Sequence, residues 1–286
     1  MQTVLLTGAG GFLGSRLARQ LQGRWEVKAF PRGMLERAQE AQVREFVMRE
    51  QPDVIVHMAA ISDTGACERD PEGSWRANVL LSEWICRAAK AVGARAVLLS
   101  SDQVYNGSGA EGPFSEDAPL APVNVYGRHK LEAERRALDI LPTAVVLRAS
   151  WMYDLPGRGL PIRDNFLMRL IRCAMEDRPV RFSTHDWRGV TYARQAAGML
   201  ERAFDLPGGV YNFGSDGPLD MYATAQGAMA LLGLSERAGR LLIPDAAQPP
   251  RCLRMDGAKA ARLGVRFSDT LEGVRLCLDE YGLTAL

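Results

Sequence analysis

An α/β fold with a doubly wound parallel sheet and a smaller C-terminal α/β lobe is predicted from this sequence by three observations. A short apolar run, a glycine-rich turn and a helix with apolar spacing follow one another in the first 21 residues. Strand-like and helix-like segments then alternate to about residue 150. Small and polar residues gather where the successive strands end, the edge at which open α/β sheets bind ligands.

The elements justify this in order. Val4-Leu-Leu-Thr7 reads as a buried strand, Gly8-Ala-Gly-Gly11-Phe-Leu-Gly14 as a turn, and Ser15-Arg-Leu-Ala-Arg-Gln-Leu21 as a helix. Gly8 permits the tight turn, Gly11 lets an anion approach the backbone at the helix N-terminus, and Gly14 lets helix and strand pack closely. This is the arrangement of a Rossmann-type dinucleotide site, in a GxxGxxG spacing, with Phe12 and Leu13 inside the loop. Residues 26–30 read as a second strand and 35–51 as a helix. Val54-Ile-Val-His57 reads as a buried parallel strand ending in Met58-Ala59-Ala60. Pro71 opens a helix that runs to about Val92. Residues 96–99 form the next strand, with Ser100-Ser-Asp-Gln-Val-Tyr105 at its carboxyl end.

Tyr126 and Lys130 stand four apart, at the start of a charged, alanine-rich helical run, so they share a helix face. An ammonium beside a phenol favours the phenolate and lowers a pKa that starts near ~10, giving a group for proton transfer near neutral pH.

With Gly8/Gly11/Gly14, His57-Met-Ala-Ala60, Ala77-Asn-Val79, Ser100-Ser101, Tyr126/Lys130 and Arg148-Ala-Ser150 in place, the chain resembles the extended short-chain dehydrogenase/reductases. Ser100-Ser-Asp-Gln-Val-Tyr105, Pro122-Val-Asn-Val-Tyr-Gly127, Arg148-Ala-Ser-Trp-Met-Tyr153, Asp164-Asn-Phe166 and Arg254-Met-Asp256 make it look most like the dTDP-4-dehydrorhamnose reductase branch. The resemblance covers nearly the whole chain. It implies reduction of a 4-keto nucleotide sugar by a nicotinamide cofactor, with Tyr126 as proton donor to the ketone. Lys130 would tune Tyr126 and hold the nicotinamide ribose, and Ser101 would hydrogen-bond the carbonyl oxygen. The implied cofactor contacts are Gly8, Gly11, Phe12, Leu13, Gly14, Arg32, Ala59, Ala60, Asn78, Ser100, Tyr126, Lys130, Arg148 and Ser150. The implied substrate contacts are Asp102, Gln103, Val104, Trp151, Asn165, Arg188 and Arg254. Dehydratases of the superfamily carry Asp-Glu where this chain has Asp102-Gln103, and a glutamine cannot serve as their base. An NAD-dependent nucleotide-sugar epimerase, and a non-catalytic regulatory subunit like that of methionine adenosyltransferase, are the alternatives.

The second strand ends in Phe30-Pro31-Arg32 with no acid for a ribose 2′-hydroxyl. Arg32 suits a 2′-phosphate, so NADPH is the expected cofactor and NADH the alternative. Arg163, Arg188, Arg251 and Arg254 are candidates for a substrate diphosphate, with Arg188 and Arg254 preferred. Residues 1–150 with about 190–215 are assigned to the nucleotide domain, and about 151–189 with 216–286 to the substrate lobe. The chain has 286 residues, 47% hydrophobic and 24% charged, with net charge +1. This balance points to no nucleic acid, and the lack of a long apolar run points to no membrane span. A strand at the N-terminus leaves no signal peptide, and five scattered cysteines suit a reducing compartment and offer no metal site. A cytoplasmic enzyme is expected, with a homodimer left open.

Overall fold

The computed structural model describes residues 1–283 except 38, 110 and 248, together with all their side chains save those of 34–36. Six parallel strands form the central sheet: β1 Thr3–Thr7, β2 Glu26–Ala29, β3 Val54–His57, β4 Arg95–Ser101, β5 Val145–Ala149 and, after four lobe strands, β10 Gly209–Phe213. Their order is β10-β5-β4-β3-β1-β2, so the winding direction reverses between β1 and β3. A crevice opens at that reversal, on the carboxyl edge of the strands. β1, β3 and β5 are apolar along nearly their whole length because helices cover both faces of the sheet.

One face packs Val4, Leu6, Val56, Val97 and Leu147 against Leu17, Leu21, Ala196 and Leu200. These last four come from the helices Phe12–Leu21 and Ala193–Arg202. The other face packs Leu5, Ile55, Ala96 and Leu98 against Val43, Val47, Ile85 and Ala89. Each large side chain buried here contributes about 1.5–3 kcal/mol of transfer free energy. The helix expected over 35–51 is two, Arg32–Arg37 and Glu40–Glu50, the second opened by a Gln39/Gln42 capping box. The helix from Pro71 passes through a π turn at Arg76–Leu80 and continues as Leu81–Val92.

The lobe has its own core of Tyr153, Phe166, Leu170, Phe182, Met229, Leu241 and Val274. Its short strands pair in twos: β6 Trp151–Tyr153 with β9 Val190–Tyr192, β7 Val180–Ser183 with β11 Leu242–Asp245, and β8 Asp186–Trp187 with β12 Arg251–Cys252. The chain crosses between lobe and sheet more often than the sequence indicated. Residues 190–192 pair within the lobe, and β10 is the strand that returns to the sheet. Residues 253–265, expected in the lobe, place Leu253 and Met255 against Tyr105 and Phe114, and Ala260 and Val265 against the sheet core. Arg16, on the first helix, forms a fully buried ion pair with Asp154 of the lobe.

Gly14 is the tightest point of the glycine turn. A Cβ there would lie 2.1 Å from the carbonyl oxygen of Gly8, and Gly8 itself has φ +72°. Neither backbone can yield without moving the helix off the sheet. Gly14→Ala is therefore expected to cost about 1–3 kcal/mol of unfolding free energy, read from urea denaturation.

Candidate active site

The helix Phe12–Leu21 begins at Gly11 with no side-chain cap and no acidic residue in its first turn. Its free N–H groups face a cleft of about 840 Å³ between the carboxyl edge of the sheet and the lobe. An uncapped helix end facing open space suits the pyrophosphate of a dinucleotide. Gly8, Gly11, Phe12, Leu13 and Gly14 line one side of this cleft, with Ala60 beside them.

The end of β3 is held to β1 by a buried chain of side chains. Ser82 Oγ donates to the carbonyl of Asn78 at 2.9 Å, so its oxygen accepts from His57 Nε2 at 3.1 Å. That leaves His57 Nδ1 to accept from Thr7 Oγ1 at 2.8 Å, while Thr7 Oγ1 accepts the N–H groups of Met58 and Ala59. Burial lowers His57 to about 3, so it stays neutral. Asn78 uses its amide on the backbone of Ile61 and on Cys67 Sγ. Asn78 and Ala59 thus shape the rim from behind and do not line the cleft.

Tyr126 and Lys130 lie in the first turns of the helix Val125–Ile140, which Asn124 caps by accepting from Gly127 N–H at 2.7 Å. Both are buried against the cleft, with Ser100, Ser101, Asp102 and Gln103 from the end of β4 beside them. Ser101 lines the cleft with Tyr126. Ser101 Oγ also donates to Asp102 Oδ1 at 3.1 Å and accepts from Gln103 N–H at 3.2 Å. The Gln103 side-chain oxygen accepts from Asn106 and Asn124 at 3.2 and 2.9 Å.

The electrostatics differ from the sequence expectation. Burial pushes the Tyr126 phenol above its usual range, and Ser101 beside it offsets this only in part. Lys130 is itself desolvated and held down to about 8, with Glu134 pulling the other way. Without a bound cofactor the phenol keeps its proton, the state a donor needs. The folded pKa of Lys130 lies below its usual 10.5, so its charge opposes folding below about pH 8, and that cost fades as pH rises from 8 to 10.5. Lys130→Met, cofactor-free, is expected to be more stable than wild type at pH 7 by roughly 3 kcal/mol, taking 1.36 kcal/mol per pKa unit. Denaturation at several pH values checks this, and the gap should close by about pH 10.5.

On the lobe side, Trp151, Arg163, Arg169, Arg181, Arg188 and Arg251 line the cleft together with Ser150. Arg188 Nη2 donates to Asp102 Oδ2 at 2.7 Å, and its guanidinium lies 5.6 Å from the Trp151 ring. Arg163 lies over the Phe12 ring at 5.0 Å, and Arg169 over Phe182 at 5.0 Å. Besides Asn78 and Ala59, five expected contacts lie elsewhere. Arg148 is consumed by Glu134, Tyr105 and the carbonyl of Glu116 in a buried network. Arg254 pairs with Asp216 at 2.8 Å outside the cleft, because the neighbouring Arg251 takes the inward place. Val104 packs in the apolar cluster of Tyr105 and Phe114. Asn165 caps the helix Phe166–Glu176. Arg32 is exposed at the start of its helix, away from the cleft lining.

Sequence reasoning missed Arg169, Arg181 and Asp186, and placed Arg251 behind Arg254. No signal singled out the first two, since neither the strand Val180–Ser183 nor the facing of the helix Phe166–Glu176 was legible. Asp63, which also lines the cleft, caps the helix Thr64–Arg69 and could have been found as an N-cap. Among the described residues no group of three His, Cys, Asp or Glu side chains could hold a metal ion, and no helix is long and apolar enough to cross a membrane.

A uncapped glycine turn at the switch point, with a buried Ser–Tyr–Lys set across the same cleft, defines a Rossmann-fold oxidoreductase of the short-chain dehydrogenase/reductase type. Within that class the chain belongs to the family described as the RmlD substrate binding domain, whose profile matches residues 1–282. It is 31% identical over 235 residues to the spore coat polysaccharide biosynthesis protein SpsK of Bacillus subtilis, covering 82% of this chain and 81% of that one. It is 34% identical over 237 residues to a dTDP-4-dehydrorhamnose reductase of Streptomyces griseus, covering 80% and 76%. The fold is similar to that of a dTDP-4-dehydrorhamnose reductase from Bacillus anthracis solved with NADP, with a TM-score of 0.86 and 22% identity over 98% of this chain and 99% of that one. The enzyme of that name from Yersinia enterocolitica gives 0.86 at 24% identity, covering 98% and 100%.

Proposed function

We propose that the protein is an NAD(P)H-dependent reductase of a 4-keto nucleotide sugar. The observation that carries this is Ser101, Tyr126 and Lys130 converging on the cleft that the uncapped glycine turn opens into. NADPH supplies a hydride when bound. Gly11, Phe12 and Leu13 would hold its pyrophosphate, and Lys130 its ribose. The chain's own part is to place the ketone between Ser101 and Tyr126, to donate the phenolic proton to its oxygen, and to exclude water. Gln103, with no carboxylate, cannot serve as the base for the competing loss of water. Arg163 and Arg251 suit the diphosphate of the substrate, and Trp151 the sugar face.

Relatives named as reductases of dTDP-linked keto sugars support this substrate class, among them a dTDP-4-keto-6-deoxy-D-glucose reductase of Streptomyces niveus, 29% identical over 235 residues. The methionine adenosyltransferase 2 subunit beta of Xenopus laevis, 36% identical over 157 residues, supports the non-catalytic alternative over 52% of the chain. Purified protein with NADPH and a panel of dTDP- and UDP-4-keto sugars separates them. Oxidation of NADPH in step with ketone loss supports the reductase. No turnover of any sugar, with co-purification of a larger partner, supports the subunit. A cytoplasmic enzyme without nucleic-acid or membrane partners fits this reading, and sedimentation would report whether it is a homodimer.

A further inference from the structure

We infer that Arg188 is a positioning residue for the Ser101–Tyr126 pair and acts through Asp102, an inference that rests on the reductase reading above. Ser101 lines the cleft with Tyr126, Ser101 Oγ donates to Asp102 Oδ1 at 3.1 Å, and Asp102 Oδ2 accepts from Arg188 Nη2 at 2.7 Å. Three side chains form one line from the hydroxyl beside the proton donor to a guanidinium of the lobe. Asp102 is 3% exposed and Arg188 12%, so little water screens the pair.

Asp102 puts a carboxylate one residue from the hydroxyl that faces the ketone. As hydride reaches the carbonyl carbon, the π electrons move onto oxygen, and negative charge grows there until the phenolic proton arrives. A carboxylate so close opposes that charge unless a cation cancels it. Arg251 also feels Asp102, but its guanidinium is held by Asp186, with Nε to Oδ1 at 3.1 Å. Arg188 is the cation in direct contact. Trp151 supports the plane of its guanidinium, and its Nε has no hydrogen-bond partner. The hydrogen bond described for Arg188 is the one to Asp102. Without Arg188, Ser101 would face a bare carboxylate in place of a neutralised one, and its proton would be drawn toward Asp102 and away from the ketone.

The test is a double-mutant cycle of Arg188→Met and Asp102→Asn, with saturating NADPH and a 4-keto nucleotide sugar, and with thermal melts of the four cofactor-free proteins. Arg188→Met is expected to lower kcat on the order of 10–100-fold, somewhat less than removal of a direct transition-state donor. KM for the sugar should stay within about twofold, because the interaction lost is felt in the transition state. Adding Asp102→Asn should return kcat to within about threefold of Asp102→Asn alone, the non-additivity that marks a coupled pair. Arg188→Lys, which keeps a cation, should retain most of kcat and guards against misfolding of the methionine variant. A loss carried in KM, or kcat losses that multiply independently, overturns the inference, since Arg188 would then be an anion-binding residue. An inactive wild type would instead remove the reductase reading. The melts still decide the pairing: Asp102→Asn should recover the stability lost in Arg188→Met, and additive losses contradict it.

Discussion

Tyr126→Phe is expected to lose about 10²–10⁴ of kcat in ketone reduction, the usual contribution of a positioned general acid. Its NADPH dissociation constant should stay near that of wild type. The phenol lies on the first turn of a helix capped at Asn124, buried, on the cleft that Ser101 also lines. Phenylalanine keeps the ring and its packing against Cys67 and Val125, so the fold is not at issue. What goes is the proton for the alkoxide, and no other side chain of the cleft replaces it. Lys130 is a desolvated cation on the same helix face, and the proton of Ser101 is directed to Asp102. Single-turnover and steady-state kinetics with fluorescence titration of NADPH check both halves. A variant with wild-type turnover would remove Tyr126 from the mechanism.

Glu134→Ala is expected to destabilise the protein by about 3–5 kcal/mol, the cost of removing one partner from a buried ion pair. Glu134 accepts from Arg148 at 2.8, 3.1 and 3.2 Å and from Ser100 as well. Both charged side chains are 4% exposed. Glu134 holds Arg148 well above its usual range, and Tyr105 donates to Asn212 at 2.7 Å while accepting from Arg148. The network joins β4, β5, β10 and the helix that carries Tyr126 and Lys130. Glu134→Ala leaves a guanidinium buried without its carboxylate, whereas Glu134→Ala with Arg148→Met leaves none. The double variant should therefore lose less than the two single losses added together. Urea denaturation of the three variants measures this, and strict additivity would show the two residues to be independent.

Much of this fold was legible because its signals are local. The glycine turn lies between a buried strand and an amphipathic helix, and the backbone conformation at Gly8 and the contact at Gly14 require glycine whatever surrounds them. Tyr126 and Lys130 were legible because helical spacing alone brings them to one face. The helix of Pro71 and the rim at Ser100–Tyr105 followed from the same periodicity. What escaped depends on where the chain goes afterwards. Arg148 reads as a rim residue at the end of a strand, yet a glutamate 14 residues upstream captures it. Arg251 and Arg254 are equivalent in sequence. The two-residue pairing of β12 with β8 turns one toward the cleft, and Asp216 draws the other away. Asn165 and Asn78 have amides that satisfy local backbone, a role composition cannot separate from ligand binding. The pKa of Tyr126 was misjudged because spacing reports proximity to a cation and says nothing of burial, and burial is the larger effect here.

The central claim is that hydride passes from NADPH to the sugar ketone in this cleft while Tyr126 supplies the proton. Incubation with NADPH carrying deuterium at the transferred position of the nicotinamide, followed by mass spectrometry and NMR of the nucleotide sugar, tests it most directly. Deuterium is expected at the former carbonyl carbon, at one per NADPH consumed, and nearly absent there with Tyr126→Phe. Sugar converted without deuterium uptake, or NADPH left unconsumed with every keto sugar offered, would contradict it.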